Sequence, residues 1–198
     1  MSLILPFDLE TTSLPNYKDP SEGEGQPHFL EIAAQLVDSE TLQVVDSMNT
    51  LVKPVDGFPM WTISSEAFEK HQITMEMVMD LGIPENQALD QFWAMYERCE
   101  KRTAFNVVFE NRLIRIAQKR YWTTDDEDPR LKGWKDDKTR QYCTMIHAGK
   151  VMGGKWPKLG EAIKFFFNRE HLDAHRAQPD MLAASDLYFE LQKRQAAA

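Results

Sequence analysis

The chain has 198 residues, 42% of them hydrophobic and 11% aromatic, which suits a single globular domain over 1–198 with a substantial core. Its 31 acidic against 23 basic residues leave a net charge of −8, which excludes a protein that coats duplexes through a basic footprint but not an enzyme whose bound cations reverse the local sign. Cys99 and Cys143 form neither a disulfide framework nor a metal-ligand spacing, the apolar start is too short for a signal segment, and no stretch reaches bilayer length; the expectation is a cytoplasmic protein with no membrane partner.

The first predicted strand is Leu3-Ile4-Leu5-Pro6-Phe7-Asp8-Leu9-Glu10. Alternation sends Leu3, Leu5, Phe7 and Leu9 to one face and Ile4, Pro6, Asp8 and Glu10 to the other. Two carboxylates therefore end an apolar strand side by side. Either they cap the strand in solvent, or they share a divalent cation, because buried acids need a partner. Residues 15–27, rich in Pro, Gly and Asn, read as a long loop beside them. Phe29–Val37 and Val44–Val52 read as strands joined by a polar turn, so an antiparallel meander is expected.

From Ser64 to Gly82 the pattern is helical and broken, and Pro84 opens a longer helix whose stripe is Ala88, Leu89, Phe92, Trp93 and Tyr96. Thr103–Val108 reads as a short strand or strand end. Glu110, Leu113, Ile114, Ala117 and Tyr121 then fall on one helical face, which puts an acid on an apolar stripe. The helix dipole would favour an acid there without any functional role. Thr123–Asp137 reads as a solvated, charged loop, Arg140–Ile146 as a strand, and Lys158–Phe167 as a helix. In the last helix, Pro179 suits the first helical position and Asp180 shares a face with Ala184, Leu187 and Leu191. His175 precedes it on the incoming loop.

Three of these stretches carry a resemblance. Phe7-Asp8-Leu9-Glu10-Thr11-Thr12-Ser13-Leu14, Phe105-Asn106-Val107-Val108-Phe109-Glu110 and His175-x-Ala177-x-x-Asp180 resemble, in order and separation, the three motifs of the DEDDh exonucleases. His71-Gln72-Ile73-Thr74 is similar to a further mark of that family. The departures are Ser13 for a glycine, Phe105 for a histidine, Gln72 for a glycine and Glu110 for an aspartate.

The resemblance implies an α/β, ribonuclease H-like fold, with a mixed central sheet (antiparallel meander plus parallel strands) flanked by helices. It implies a 3′–5′ exonuclease acting on single-stranded DNA or RNA 3′ ends and releasing nucleoside 5′-monophosphates. Asp8, Glu10, Glu110 and Asp180 would hold two divalent ions, Mg²⁺ or Mn²⁺, with Glu110 supporting the second. His175 would be the general base. Thr11, Thr12, Leu14, His71, Ile73 and Asn106 would contact substrate. Leu14 follows the motif as a residue that packs on terminal bases; Phe29 is weighed for the same role but opens an apolar strand and reads better as core.

Arg112, Arg115, Lys119 and Arg120, with Lys150, Lys155 and Lys158, form either a phosphate track or a solvated face. Glu110 keeps the charge of an aspartate but adds a methylene, and Mg²⁺ tolerates little error in ligand geometry. Two further readings stay open: a nucleic-acid-binding module that kept the fold and lost catalysis, and a metal-stabilised structural protein.

Overall fold

The computed structural model describes residues 2–172 and 174–197; Met1, Asp173 and Ala198 lie outside it. In chain order the elements are β1 (Leu3–Thr11), β2 (Phe29–Asp38), β3 (Val44–Lys53), α1 (Ser65–His71), α2 (Met75–Leu81), β4 (Ile83–Pro84), α3 (Glu85–Arg98), β5 (Lys101–Ala104), α4 (Val107–Tyr121), α5 (Pro129–Asp136), β6 (Gln141–Cys143), α6 (Thr144–Val151), α7 (Leu159–Phe167) and α8 (Ala177–Ala196). They build one sheet of order β4-β3-β2-β1-β5-β6. β1, β2 and β3 pair antiparallel, while β5, β6 and β4 join in parallel. This is the mixed sheet that the sequence leads one to expect.

The alternation of β1 divides the core. Leu5, Phe7 and Leu9 are buried in the larger cluster with Phe92, Leu113 and Trp134, from the helices α3, α4 and α5. Ile4 points the other way, into a smaller cluster with Ala148, Ala162 and Leu187 from α6, α7 and α8. The face that carries Asp8 and Glu10 is therefore the one that α8 covers.

Four segments differ from the sequence expectation. Thr123–Asp137 is not wholly loop: Asp128 caps α5 by accepting from Arg130 N, Pro129 opens it, and Leu131 and Trp134, three residues apart, turn inward. The charged residues between them mask this short stripe. The strand expected at Thr103–Val108 is Lys101–Ala104, which reaches α4 through a two-residue turn, and the one expected at Arg140–Ile146 is only Gln141–Cys143, which runs at once into α6. A parallel strand flanked by helices needs only a few paired residues, so an apolar run extends past its end. In α8 the helix begins at Ala177 rather than Pro179, because Glu31 accepts from the N–H of Ala177 and so anchors the extra turn.

Candidate active site

Asp8 and Glu10 lie near the end of β1, next to an irregularity in its pairing with β2 between Glu10 and Thr11. Such bulges re-aim side chains at the edge of a site. Asp180 comes from the first turn of α8. Asp8, Glu10 and Asp180 each present an oxygen, and the three oxygens lie within 4.8 Å of one another. Glu110, in the first turn of α4, is buried beside them and outside that group of three; its Oε2 is buried with no hydrogen-bond partner.

Four acids this close repel one another. Asp8 is held well above the usual carboxylate range, first by burial and then by the charges of Glu110, Glu10, Asp180 and Glu31. Glu110 is raised by burial and by Glu10 and Asp180. Glu10 is pushed from 4.5 up to about 8, chiefly by burial, then by Asp180 and Glu31, with Arg176 and Lys70 in partial opposition. Such a cluster is stable only with protons or cations among its oxygens. The donors are all oxygen, the type that hard divalent cations take, and Glu110 adds beside them a buried oxygen with no hydrogen-bond partner.

Two further residues shape this centre and were missed in the sequence. Glu31, paired with Glu10 across β1 and β2, receives bonds from Arg176 Nη2 (2.6 Å), Arg176 Nε (3.0 Å) and Ala177 N (2.9 Å). It thereby fixes the first turn of α8 and with it Asp180. A signal existed, since Glu31 is an acid flanked by apolar residues inside a mostly apolar strand. His171, in the loop before α8, places Nε2 2.5 Å from Asp180 Oδ1; no local pattern marks it.

His175 is exposed and left-handed at φ 68°, and its backbone N–H donates to Asp180 Oδ2 at 3.3 Å. It therefore borders the carboxylates. Leu14 is 72% exposed and lines, with Glu10, Lys70, Phe109 and His175, a cleft of about 200 Å³.

Of the other residues matched to substrate contact, Thr11 and His71 also line that cleft, and their polar atoms and those of Thr12 are hydrogen-bonded within the chain. Thr11 Oγ1 donates to Ser13 O, and Thr12 Oγ1 accepts from His28 N. The His71 ring is fully used: Nδ1 accepts from Ile73 N at 2.9 Å, so Nε2 is the donor to Thr11 O at 3.2 Å. Ile73 is completely buried and is a core residue, as is Phe29. Asn106 caps α4 through its carbonyl, which accepts from Phe109 and Glu110. The side chains of Thr11, Thr12 and His71 brace the turn after β1, and the Asn106 carbonyl caps the helix that carries Glu110.

The cations of α4, weighed as a phosphate track or a solvated face, bond to neighbouring segments instead. Lys119 pairs with Glu22 and Asp126, and Arg120 with Glu85 while bonding the carbonyls of Gln26 and Pro27. Both tie α4 to neighbouring segments. Arg112 and Arg115 also reach the 15–27 loop, at Asp19 O and Ser21 Oγ.

No protein-family model matches the chain, and no curated protein matches it. Solved structures do. E. coli Exonuclease I in complex with a dT13 oligonucleotide aligns over 100% of this chain at TM-score 0.72 and 19% identity. Its complex with dA16 aligns at TM-score 0.73 and 19% identity over 100% of this chain, and the zinc-bound ExoI–ssDNA complex at 0.71 and 20% over 99%. This chain has the ribonuclease H-like fold. It spans 42%, 42% and 41% of those three chains, respectively. Among the described residues no helix is long and apolar enough to cross a membrane.

Proposed function

We propose that this chain is a single exonuclease domain, a metal-dependent 3′–5′ exonuclease that removes nucleoside 5′-monophosphates from single-stranded DNA. The observation that carries the reading is the convergence of three carboxylate oxygens within 4.8 Å, with the partnerless oxygen of Glu110 beside them. The oligonucleotides in the Exonuclease I complexes support single-stranded DNA as the substrate class.

Asp8, Glu10 and Asp180 would hold two divalent ions, Mg²⁺ or Mn²⁺, with Glu110 supporting the second. When bound, such ions stabilise the attacking and leaving oxygens of an in-line phosphodiester displacement. The chain's own residues do the rest. His175, exposed at the mouth of the cleft, takes the proton of the attacking water, the general-base work that imidazole side chains most often do. The left-handed backbone at His175 and its N–H bond to Asp180 set where the ring begins its reach. Leu14 packs on the terminal base, while the inward bonds of Thr11, Thr12 and His71 hold the turn that presents it.

The test is release of mononucleotides from a 3′-terminal labelled DNA strand with Mg²⁺ or Mn²⁺, beside a matched RNA strand. Asp8→Ala and EDTA should each abolish it, and full activity in EDTA would refute the reading. Glu110 lies outside the three-oxygen group, which favours one alternative, a binding module that lost catalysis. A large gain in rate for Glu110→Asp marks an attenuated enzyme. Strand binding without cleavage by either form marks the module.

A further inference from the structure

A second cavity, of opposite charge, is lined by residues of α4 and α5. Its volume is about 250 Å³, and Arg112, Arg115, Lys135 and Lys138 line it together with the amides of Asn111 and Gln141. Four cations converge there in a chain whose net charge is −8. Neither Lys135 nor Lys138 makes an ion pair among the described residues, and both are exposed. Arg112 keeps a buried Nε with no hydrogen-bond partner. Its pKa is lowered first by burial and then by the charge of Arg115, so the cations here repel one another as the acids of the carboxylate centre do.

The amides are held in place from behind. Asn111 Nδ2 donates to Gln141 Oε1 at 2.6 Å, Arg102 Nε donates to Asn111 Oδ1 at 2.9 Å, and Trp134 Nε1 donates to Asn111 O at 3.0 Å. The wall is thus rigid, while the lysines are free to close on a ligand. The cavity lies along α4, the helix that also carries Glu110. Tyr17 lines it and is near enough for the charge of Glu110 to act on its hydroxyl.

We propose that this cavity is a phosphate-binding subsite that grips the backbone of the strand whose 3′ end is at the carboxylates, an inference that rests on the nuclease reading above. Tyr17, Val108 and Trp134 complete the lining, and the guanidinium and ammonium donors among them match phosphate oxygens. A backbone phosphate held here sets the register of the strand without reading its sequence. The helix carrying Glu110 also carries Arg112 and Arg115, so one rigid element would align the held phosphate with the metal centre.

The experiment measures strand binding in EDTA, by anisotropy, for the full chain and for Lys135→Ala/Lys138→Ala. Both lysines lie at the surface and hold no other element in place. The variant should bind a strand of about twelve nucleotides about tenfold more weakly, and a dinucleotide too short to reach both sites nearly as well as before. The slope of log affinity against log salt should become shallower by about 0.7 for each phosphate no longer neutralised. Unchanged affinity and unchanged salt dependence for the long strand overturn the proposal. A loss confined to free mononucleotide or inorganic tripolyphosphate also overturns it, by assigning the pocket to a free phosphate ligand. If no strand binds the unaltered protein, that failure belongs to the nuclease reading, and it overturns the strand subsite too; the tripolyphosphate titration then reports whether a bare phosphate pocket exists.

Discussion

Nε2 of His171 lies 2.5 Å from Oδ1 of Asp180, whereas His175 meets the same carboxylate only through its backbone N–H. The two histidines therefore divide two tasks. His171 orients the Asp180 carboxylate, and the His175 ring makes no hydrogen bond among the described residues. Outer partners of metal ligands typically contribute 10–100-fold in metal affinity. His171→Ala should weaken Mn²⁺ binding by about tenfold in calorimetry. His175→Ala should leave Mn²⁺ affinity near the parent value while lowering the rate by roughly 10²–10⁴-fold.

Glu31 does similar work at longer range. It neutralises Arg176 and ties down the first turn of α8. Removing one partner of a buried charge pair costs about 3–5 kcal/mol, and partial exposure of Arg176 reduces that. Glu31→Ala should lower the midpoint of thermal unfolding and weaken metal binding, because Asp180 loses its fixed position. Denaturation monitored with and without Mn²⁺ separates the two effects.

The acidic centre makes stability depend on pH and on metal together. Glu10 titrates at about 8 in the metal-free fold against 4.5 ordinarily, and Asp8 and Glu110 are shifted in the same direction. A raised carboxylate pKa means that the folded state binds more protons than the unfolded state between those values. Its stability therefore falls as pH rises from about 4.5 to about 8. Scanning calorimetry of metal-free protein should show that decline, and Mn²⁺ should raise the midpoint far more at pH 8 than at pH 5, since cations replace the protons. Asp8→Asn should flatten the decline.

His71 works in the opposite sense. Burial lowers its pKa below 6.5, and Nδ1 must stay unprotonated to accept from Ile73 N. The folded state thus binds fewer protons than the unfolded state, and this contribution is complete above pH 6.5 and is lost as pH falls through the depressed value. His71→Ala orphans Thr11 O and Ile73 N, each worth about 1–3 kcal/mol when buried. The variant should unfold at lower denaturant concentration, with KM raised more than kcat is lowered, because Leu14 follows the turn that His71 supports.

Much of the architecture is legible locally. The period of two in β1 already places Asp8 and Glu10 on the face opposite Phe7, and the turn-separated runs at Phe29–Val37 and Val44–Val52 already imply the meander. The period of 3.6 in α4 puts Glu110 on the apolar stripe. What stays hidden is whatever depends on charge paired across the chain. Lys119 and Arg120 read as surface cations until Glu22, Asp126 and Glu85 are seen against them. Leu131 and Trp134 lie in too charged a stretch for their short stripe to stand out.

The sequence by itself determined the carboxylates, their order and the elements that carry them, because side-chain periodicity is set by backbone geometry within a few residues. Only the tertiary structure decided that Asp180 meets Asp8 and Glu10, that Glu31 and His171 hold it there, that the polar atoms of Thr11, Thr12 and His71 are bonded within the chain, and that Ile73 is core. Those outcomes depend on how β2, α8 and the loop before it close on β1, and electrostatic and hydrogen-bond partners at such separations leave no period in the chain.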